Sequence, residues 1–286
     1  MKIYHWYDPL KCPKGNFGDT LNLWLWPKLI PEMINSKDQG LLIGIGTVIN
    51  EGLSNFTEKI AILGSGVGYG NFLKNTDKYN IYCLRGPRTA SALNVDPRLA
   101  VTDAAILIRS CYKSNHRVEE NQKFPAFMPH WQTPQSPWQD ACEALGIEYI
   151  APDKSVEEIL GQLANAKFVI AEAMHGAIIA DAMRVPWLAV STRPSINSFK
   201  WLDWCESLHL NYSPISLYWK RFTLHGISQQ SGLAPIALSL AKFKLQWLSK
   251  SVTPSLSEES VLLKKEKLFY QKLEEFRSDW EKGVFN

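Results

Sequence analysis

At 286 residues, 45% hydrophobic and 21% charged, the chain is long enough for a large core and has an ordinary globular composition, which sets aside disordered and fibrous classes. Its formal net charge of +3 is too small to argue for a nucleic-acid partner; it slightly favours an anionic ligand or an anionic membrane surface. Five scattered cysteines (Cys12, Cys83, Cys111, Cys142 and Cys205), odd in number and without a CxxC pair, suggest neither a disulfide framework nor a zinc site, and fit a reducing compartment.

The N-terminal MKIYHWYDP reads as a first strand rather than a cleavable leader. No apolar run reaches about 18 residues, the length of a membrane span. The expected location is cytoplasmic, compatible with attachment to the inner face of a membrane. Strand-like and helix-like runs then alternate: KIYHWY, DTLNLWLW, LLIGIG, KIAILGSG, NIYCLRG, PRTASAL and TDAAILI. The polar, aperiodic SCYKSNHRVEENQ follows as the candidate linker. Alternation resumes with FPAFMPH, PWQDACEAL, IEYIAP, VEEILGQLANA, KFVIAEAM, GAIIADAM and PWLAVS. This pattern predicts parallel sheets with crossover helices. The expected organisation is an α/β protein with an N-terminal Rossmann-like domain over 1–112 and a second over 123–228, facing each other across a ligand cleft. A helical extension over 229–286 packs back on them.

That extension holds LSLAKFKLQWLSK and SEESVLLKKEKLFYQKLEEFRSDWEKG, the second with a capping-type start. The first sets Leu238, Phe243, Leu245, Trp247 and Leu248 beside Lys242, Lys244 and Lys250. Such a basic amphipathic helix lies on a membrane or docks on its own domain.

Small-residue turns fall at predicted strand ends, where open α/β sheets present ligands: GNFGD, GIGT, GSGVGYG with Gly66, and LRGPRTA. Arg85 and Arg88 in the last repel each other unless an anion, or carboxylates, lies between them, and a doubly anionic phosphate suits paired guanidinium groups. Asp19 reads as the N-cap of the first helix, and Asp103 as an arginine partner or a helix cap. His130 stands just past one strand, next to Trp131. In FVIAEAMHGAIIADA, His175 stands where a strand hands over to a helix whose first turn carries unpaired N–H groups; Gly176 allows close approach. A mere capping role is the alternative for His175. His5, His116, His209 and His225 have no such setting.

The order NFGD, GIG, GSG, RGPRTA, an aspartate, PH, and EAMHGAIIADA with PWLAVS, over about residues 14 to 205, resembles the polysaccharide pyruvyl transferase family. RGPRTA and MHGAIIADA carry most of the likeness. The resemblance implies transfer of the enolpyruvyl-derived group of phosphoenolpyruvate to sugar hydroxyls, forming a pyruvate ketal on a polysaccharide or lipid-linked oligosaccharide. It also implies a GT-B-like pair of Rossmann-like halves, with no metal or further cofactor. Many members carry an arginine or serine and then a leucine before the HG pair, where this chain has Ala173 and Met174. An arginine's role there passes to Arg85, Arg88, Arg193 or Lys200.

On this reading His175, with His130 second, serves as acid/base or phosphate contact. Arg85, Arg88, Gly66, Gly176 and Lys200 hold phosphoenolpyruvate, while Trp131, Trp201, Trp204 and Asp19 form the acceptor side. Two rivals remain. One is a nucleotide-sugar glycosyltransferase of the same architecture, with Glu172 on a ribose. The other is a non-catalytic glycan-binding relative.

Overall fold

The computed structural model describes residues 1–10, 12–13, 15–38, 40–73, 75–113, 119–219, 223–230 and 232–285; His116 and the middle of the predicted linker lie outside them. The described residues form two compact units. The first comprises Met1–Cys111, Asn197–Asn211 and Ser257–Asn286, the second Tyr112–Ile196 and Tyr212–Leu256.

In the first unit the chain runs β1 (Lys2–Tyr4), α1 (Phe17–Leu29), α2 (Pro31–Ile34), β2 (Leu41–Ile43), β3 (Ile60–Leu63), β4 (Tyr79–Cys83), α3 (Pro87–Ala92) and α4 (Ile108–Cys111). In the second it continues as β5 (Ala126–Met128), α5 (Trp138–Leu145), β6 (Glu148–Tyr149), α6 (Val156–Asn165), β7 (Val169–Ala171), α7 (Met174–Ala182) and β8 (Trp187–Ser191). Next come α8 (Ser198–Ser207) of the first unit, β9 (Ile215–Ser216), α9 (Leu224–Ser228) and α10 (Ala234–Ser251) of the second, and α11 (Glu259–Glu281) of the first.

Both sheets are parallel, in the orders β1-β2-β3-β4 and β6-β5-β7-β8-β9. Their central strands (LLI, IAIL, AFM, VIA, WLAVS) are buried along their whole length. Helices cover both faces of such strands, so they lack the polar alternation of half-exposed ones. Five tryptophans (Trp26, Trp138, Trp187, Trp201 and Trp204) are buried to 1% exposure or less. Burial also pushes the Cys142 thiol up to about 12, which leaves it protonated and inert at neutral pH.

The structure decides four local readings, the caps of the first and last helices against expectation. Helix α1 opens at Phe17 with Asn16 as N-cap, so Asp19 is its third residue rather than the cap. It takes a bond from Asn16 Nδ2 at 2.6 Å instead. TDAAILI is a short helical turn, and Asp103 takes the second of its two expected roles, capping it by accepting from the Ala105 N–H at 3.0 Å. Helix α11 starts after Glu258 without a side-chain cap; the capping box lies at Ser155 and Glu158 of α6. Finally, the two C-terminal helices pack separately, one on each unit. Leu245 and Leu248 of α10 enter the core of the second unit with Trp138 and Phe127. In the first unit, α11 buries Leu262, Phe269, Leu273 and Phe276, and Phe276 packs on Tyr82 of β4 with ring centroids 5.2 Å apart.

Candidate active site at the strand ends

Parallel strands all finish at one edge, and β5, β7 and β8 are neighbours in the second sheet. The residues just past them therefore converge: His130 after β5, Glu172 to His175 after β7, Thr192 and Arg193 after β8. A fully buried carboxylate ties these loops together. Glu172 Oε2 accepts from the His130 N–H at 3.1 Å and from Thr133 Oγ1 at 2.6 Å. Its Oε1 accepts from the Thr192 N–H and Oγ1, both at 2.7 Å. Four donors on two oxygens offset the desolvation of the charge. They also occupy Glu172, so the ribose role that the glycosyltransferase rival assigns to it has no support in this geometry.

Arg193 Nη2 lies 2.7 Å from His130 Nδ1 and donates to Gln132 Oε1 at 2.8 Å. The Gln132 N–H also donates to Nδ1, at 3.3 Å. A guanidinium can only donate, so Nδ1 is the acceptor and the neutral ring carries its proton on Nε2. His130 thus presents an N–H donor at the sheet edge. Trp131 stacks near it at 5.8 Å between ring centroids and is partly exposed.

His175, also partly exposed, is the second residue of α7, and the N-cap Ala173 brings no side-chain acceptor to the first turn. That turn carries donor N–H groups and partial positive charge. Gly176 is small for a packing reason: a Cβ there would lie 2.6 Å from Met128 Sδ. Its absence lets α7 seat against β5 and fixes where His175 stands.

The RGPRTA segment of the first unit is built differently. Arg85 is fully buried. Its Nε donates to Asp203 Oδ2 of α8 at 2.9 Å, Nη1 to Thr47 Oγ1 at 2.7 Å and Nη2 to the Val67 carbonyl at 2.7 Å. Asp203 further accepts from the Thr89 N–H at 2.9 Å and Thr89 Oγ1 at 2.6 Å. A Cβ at Gly86 would collide with Asp203, and one at Gly66 with the Arg85 guanidinium. Arg88 pairs with Glu206 of α8 at 2.5 Å, both side chains 39% exposed. This bond holds the guanidinium above its ordinary pKa, so it stays a cation. Each of the two arginines thus has a carboxylate partner on α8.

Lys200 Nζ lies 5.7 Å from the ring centroid of Tyr69. Trp201 and Trp204 are wholly buried and offer no face to a sugar, which corrects their reading as acceptor platforms. Asp19 is nearly buried at the start of α1. Three residues that hold these parts were not singled out: Asp203; Asn22, whose side chain bonds both the N–H and the carbonyl of Ile45; and Asn197, which donates to the Gly68 carbonyl. Their partners are remote in sequence, so no local pattern marks them.

A cavity of about 550 Å³ lies along α6 of the second unit, lined by Phe124, Glu148, Lys154, Glu157, Glu158 and Gln162 among others. Its three carboxylates against one lysine make it a poor home for an anion.

Residues 13–194 match the family model described as polysaccharide pyruvyl transferase. The chain is also 38% identical over 219 residues to the "Succinoglycan biosynthesis protein ExoV" of Rhizobium meliloti (strain 1021), covering 75% of this chain and 67% of that protein. No solved structure gives a significant match.

Proposed function

The chain belongs to the polysaccharide pyruvyl transferase family, and we propose that it moves the enolpyruvyl-derived group of phosphoenolpyruvate onto two hydroxyls of a saccharide, forming a pyruvate ketal and releasing inorganic phosphate. The observation that carries this reading is the convergence of His130, Arg193 and His175 at one sheet edge, braced by Glu172. Within the same proposal, the two units are Rossmann-like halves of a GT-B-like architecture. Their ligand is free phosphoenolpyruvate, and their acceptor an exopolysaccharide precursor.

The chemistry needs three things. A proton must reach the methylene carbon; two hydroxyl oxygens must bond to the neighbouring carbon as its bond to the phosphate oxygen breaks; and the phosphate must leave. Arg193, the His130 Nε2–H and the first turn of α7 supply donors for the phosphate and carboxylate. His175, at the start of α7, is assigned to deliver the proton, because an imidazole can both donate and accept one. Trp131, partly exposed beside His130, is assigned to the sugar ring. Arg88 and Lys200 are second-rank donors, and Arg85 keeps its place through Asp203.

Thermal unfolding with phosphoenolpyruvate and, separately, with UDP-sugars is the test, followed by phosphate release on adding acceptor. A ligand that binds only the folded state raises the melting temperature. Stabilisation by phosphoenolpyruvate that Arg193→Ala abolishes, with phosphate release lost in His175→Ala, is expected. Stabilisation by a UDP-sugar alone would point to glycosyl transfer, and sugar binding without phosphate release to a binding protein.

A further inference from the structure

Helix α10 carries two apolar stripes, and only one is used by the fold. Ala237, Ala241, Leu245 and Leu248 are buried. Ile236, Leu240, Phe243 and Trp247 are 52%, 39%, 67% and 45% exposed. At 100° per residue these four fall within an arc of about 60°, centred some 130° from the buried stripe and running about 16 Å along the axis. Four large apolar side chains aligned in this way form a continuous patch, unlike the scattered apolar residues of an ordinary surface.

Charge identifies what the patch fits. The sequence of α10, APIALSLAKFKLQWLSKS, contains three lysines and no acidic residue. By the same helical geometry Lys244 and Lys250 fall on opposite flanks of the exposed stripe. Lys250 is exposed and Lys244 partly so. An aromatic and aliphatic stripe rimmed by lysines matches the headgroup boundary of an anionic bilayer, where rings sit at the interface and ammonium groups meet lipid phosphates. A second copy of the chain fits less well, since a two-fold contact along this stripe sets the same lysines against each other.

We propose that α10 docks the protein on an anionic lipid surface through Ile236, Leu240, Phe243 and Trp247, with Lys244 and Lys250 at the headgroups. No helix among the described residues is long and apolar enough to cross a membrane, so this contact lies in the interface plane. It uses none of the residues assigned to pyruvyl transfer, and its test reads binding without substrate, so either proposal can fail alone.

The test is co-sedimentation of the full chain with phosphatidylglycerol vesicles and with phosphatidylcholine vesicles, at low and high salt. The expected result is binding to the anionic vesicles that weakens with salt. In the double variant Phe243→Ser/Trp247→Ser, partitioning should fall at least roughly tenfold with an unchanged melting temperature. Lys244→Gln/Lys250→Gln should reduce binding to the anionic vesicles and flatten its salt dependence. Equal partitioning of wild type and the Phe243→Ser/Trp247→Ser variant, or no binding at low salt, would overturn the proposal. So would a concentration-dependent dimer that the same substitutions dissolve, which would assign the stripe to a second copy.

Discussion

Two arginines at strand ends, one in each unit, have opposite fates. Arg85 is sealed in the first unit against a carboxylate, a hydroxyl and a carbonyl. Arg193 in the second is partly exposed and donates to a histidine and a glutamine at the sheet edge. Both follow β-strands of parallel sheets, and the sequence reading favours Arg85 for the donor and names Arg193 only as a substitute. The difference lies in what faces them. A buried guanidinium with each of its three nitrogens bonded is a structural clamp, since removing its partner strands a charge. Arg193 instead bonds the side chains of His130 and Gln132 at a partly exposed edge.

The sharpest way to break this comparison is at Asp203. Asp203→Ala leaves Arg85 buried without its counter-charge and removes the acceptor for Thr89, at an expected cost of about 3–5 kcal/mol in denaturant unfolding. Arg85→Met combined with Asp203→Leu should be markedly less destabilising than either single change, because no uncompensated charge remains. Additive single losses would show that Arg85 and Asp203 do not act as a pair. If the Asp203→Ala variant stayed folded and merely lost phosphoenolpyruvate binding, Arg85 would move from clamp to ligand site.

Glu172 is the next test, because it sets the second unit's site without touching a ligand. Glu172→Gln turns one oxygen into an NH₂ group facing donors, so about 1–3 kcal/mol should be lost from stability. His130 and Arg193 would also lose their fixed spacing. The expected signature is a fall in kcat larger than any rise in KM for phosphoenolpyruvate. An unchanged kcat, with only the stability loss, would reduce Glu172 to scaffolding.

A smaller effect is expected at Gly176. In a helix interior alanine is ordinarily favoured over glycine by about 1 kcal/mol, yet the added methyl would press on Met128 Sδ at 2.6 Å, and overpacking of this kind costs roughly 1–3 kcal/mol. Overpacking should win, giving a modest net destabilisation. Shortening the neighbour, as in Met128→Ala with Gly176→Ala, should recover part of the Gly176→Ala loss relative to Met128→Ala alone.

These contrasts mark what the sequence made legible. The alternating runs forecast two parallel sheets, because doubly covered strands are apolar throughout and crossover helices are amphipathic. His130 and His175 were placed at strand ends from local handover signals alone. The burial of Arg85 is not legible, because its partner Asp203 lies 118 residues away and nothing local announces it. Trp201 and Trp204 were assigned to a sugar for the same reason: ring chemistry is visible in a sequence, exposure is not. On α10 the lysines and apolar residues were seen, but as one stripe. Only the packed structure separates the face that Leu245 and Leu248 bury from the face that Phe243 and Trp247 expose.

The smallest expected effect is at Arg88. Its pair with Glu206 is 39% exposed on both sides, and ion pairs of that kind contribute about 0–1 kcal/mol. Arg88→Ala should therefore leave the melting temperature of the ligand-free protein nearly unchanged. With phosphoenolpyruvate present, two outcomes separate. If the first unit contributes to the donor site, Glu206 yields the guanidinium to the phosphate, and the variant loses part of the ligand-induced stabilisation that Arg193→Ala abolishes. If Arg88 is only a surface brace on α8, the shift is retained in full. The donor is then held by the second unit's sheet edge alone, and RGPRTA owes its composition to the clamp on Asp203.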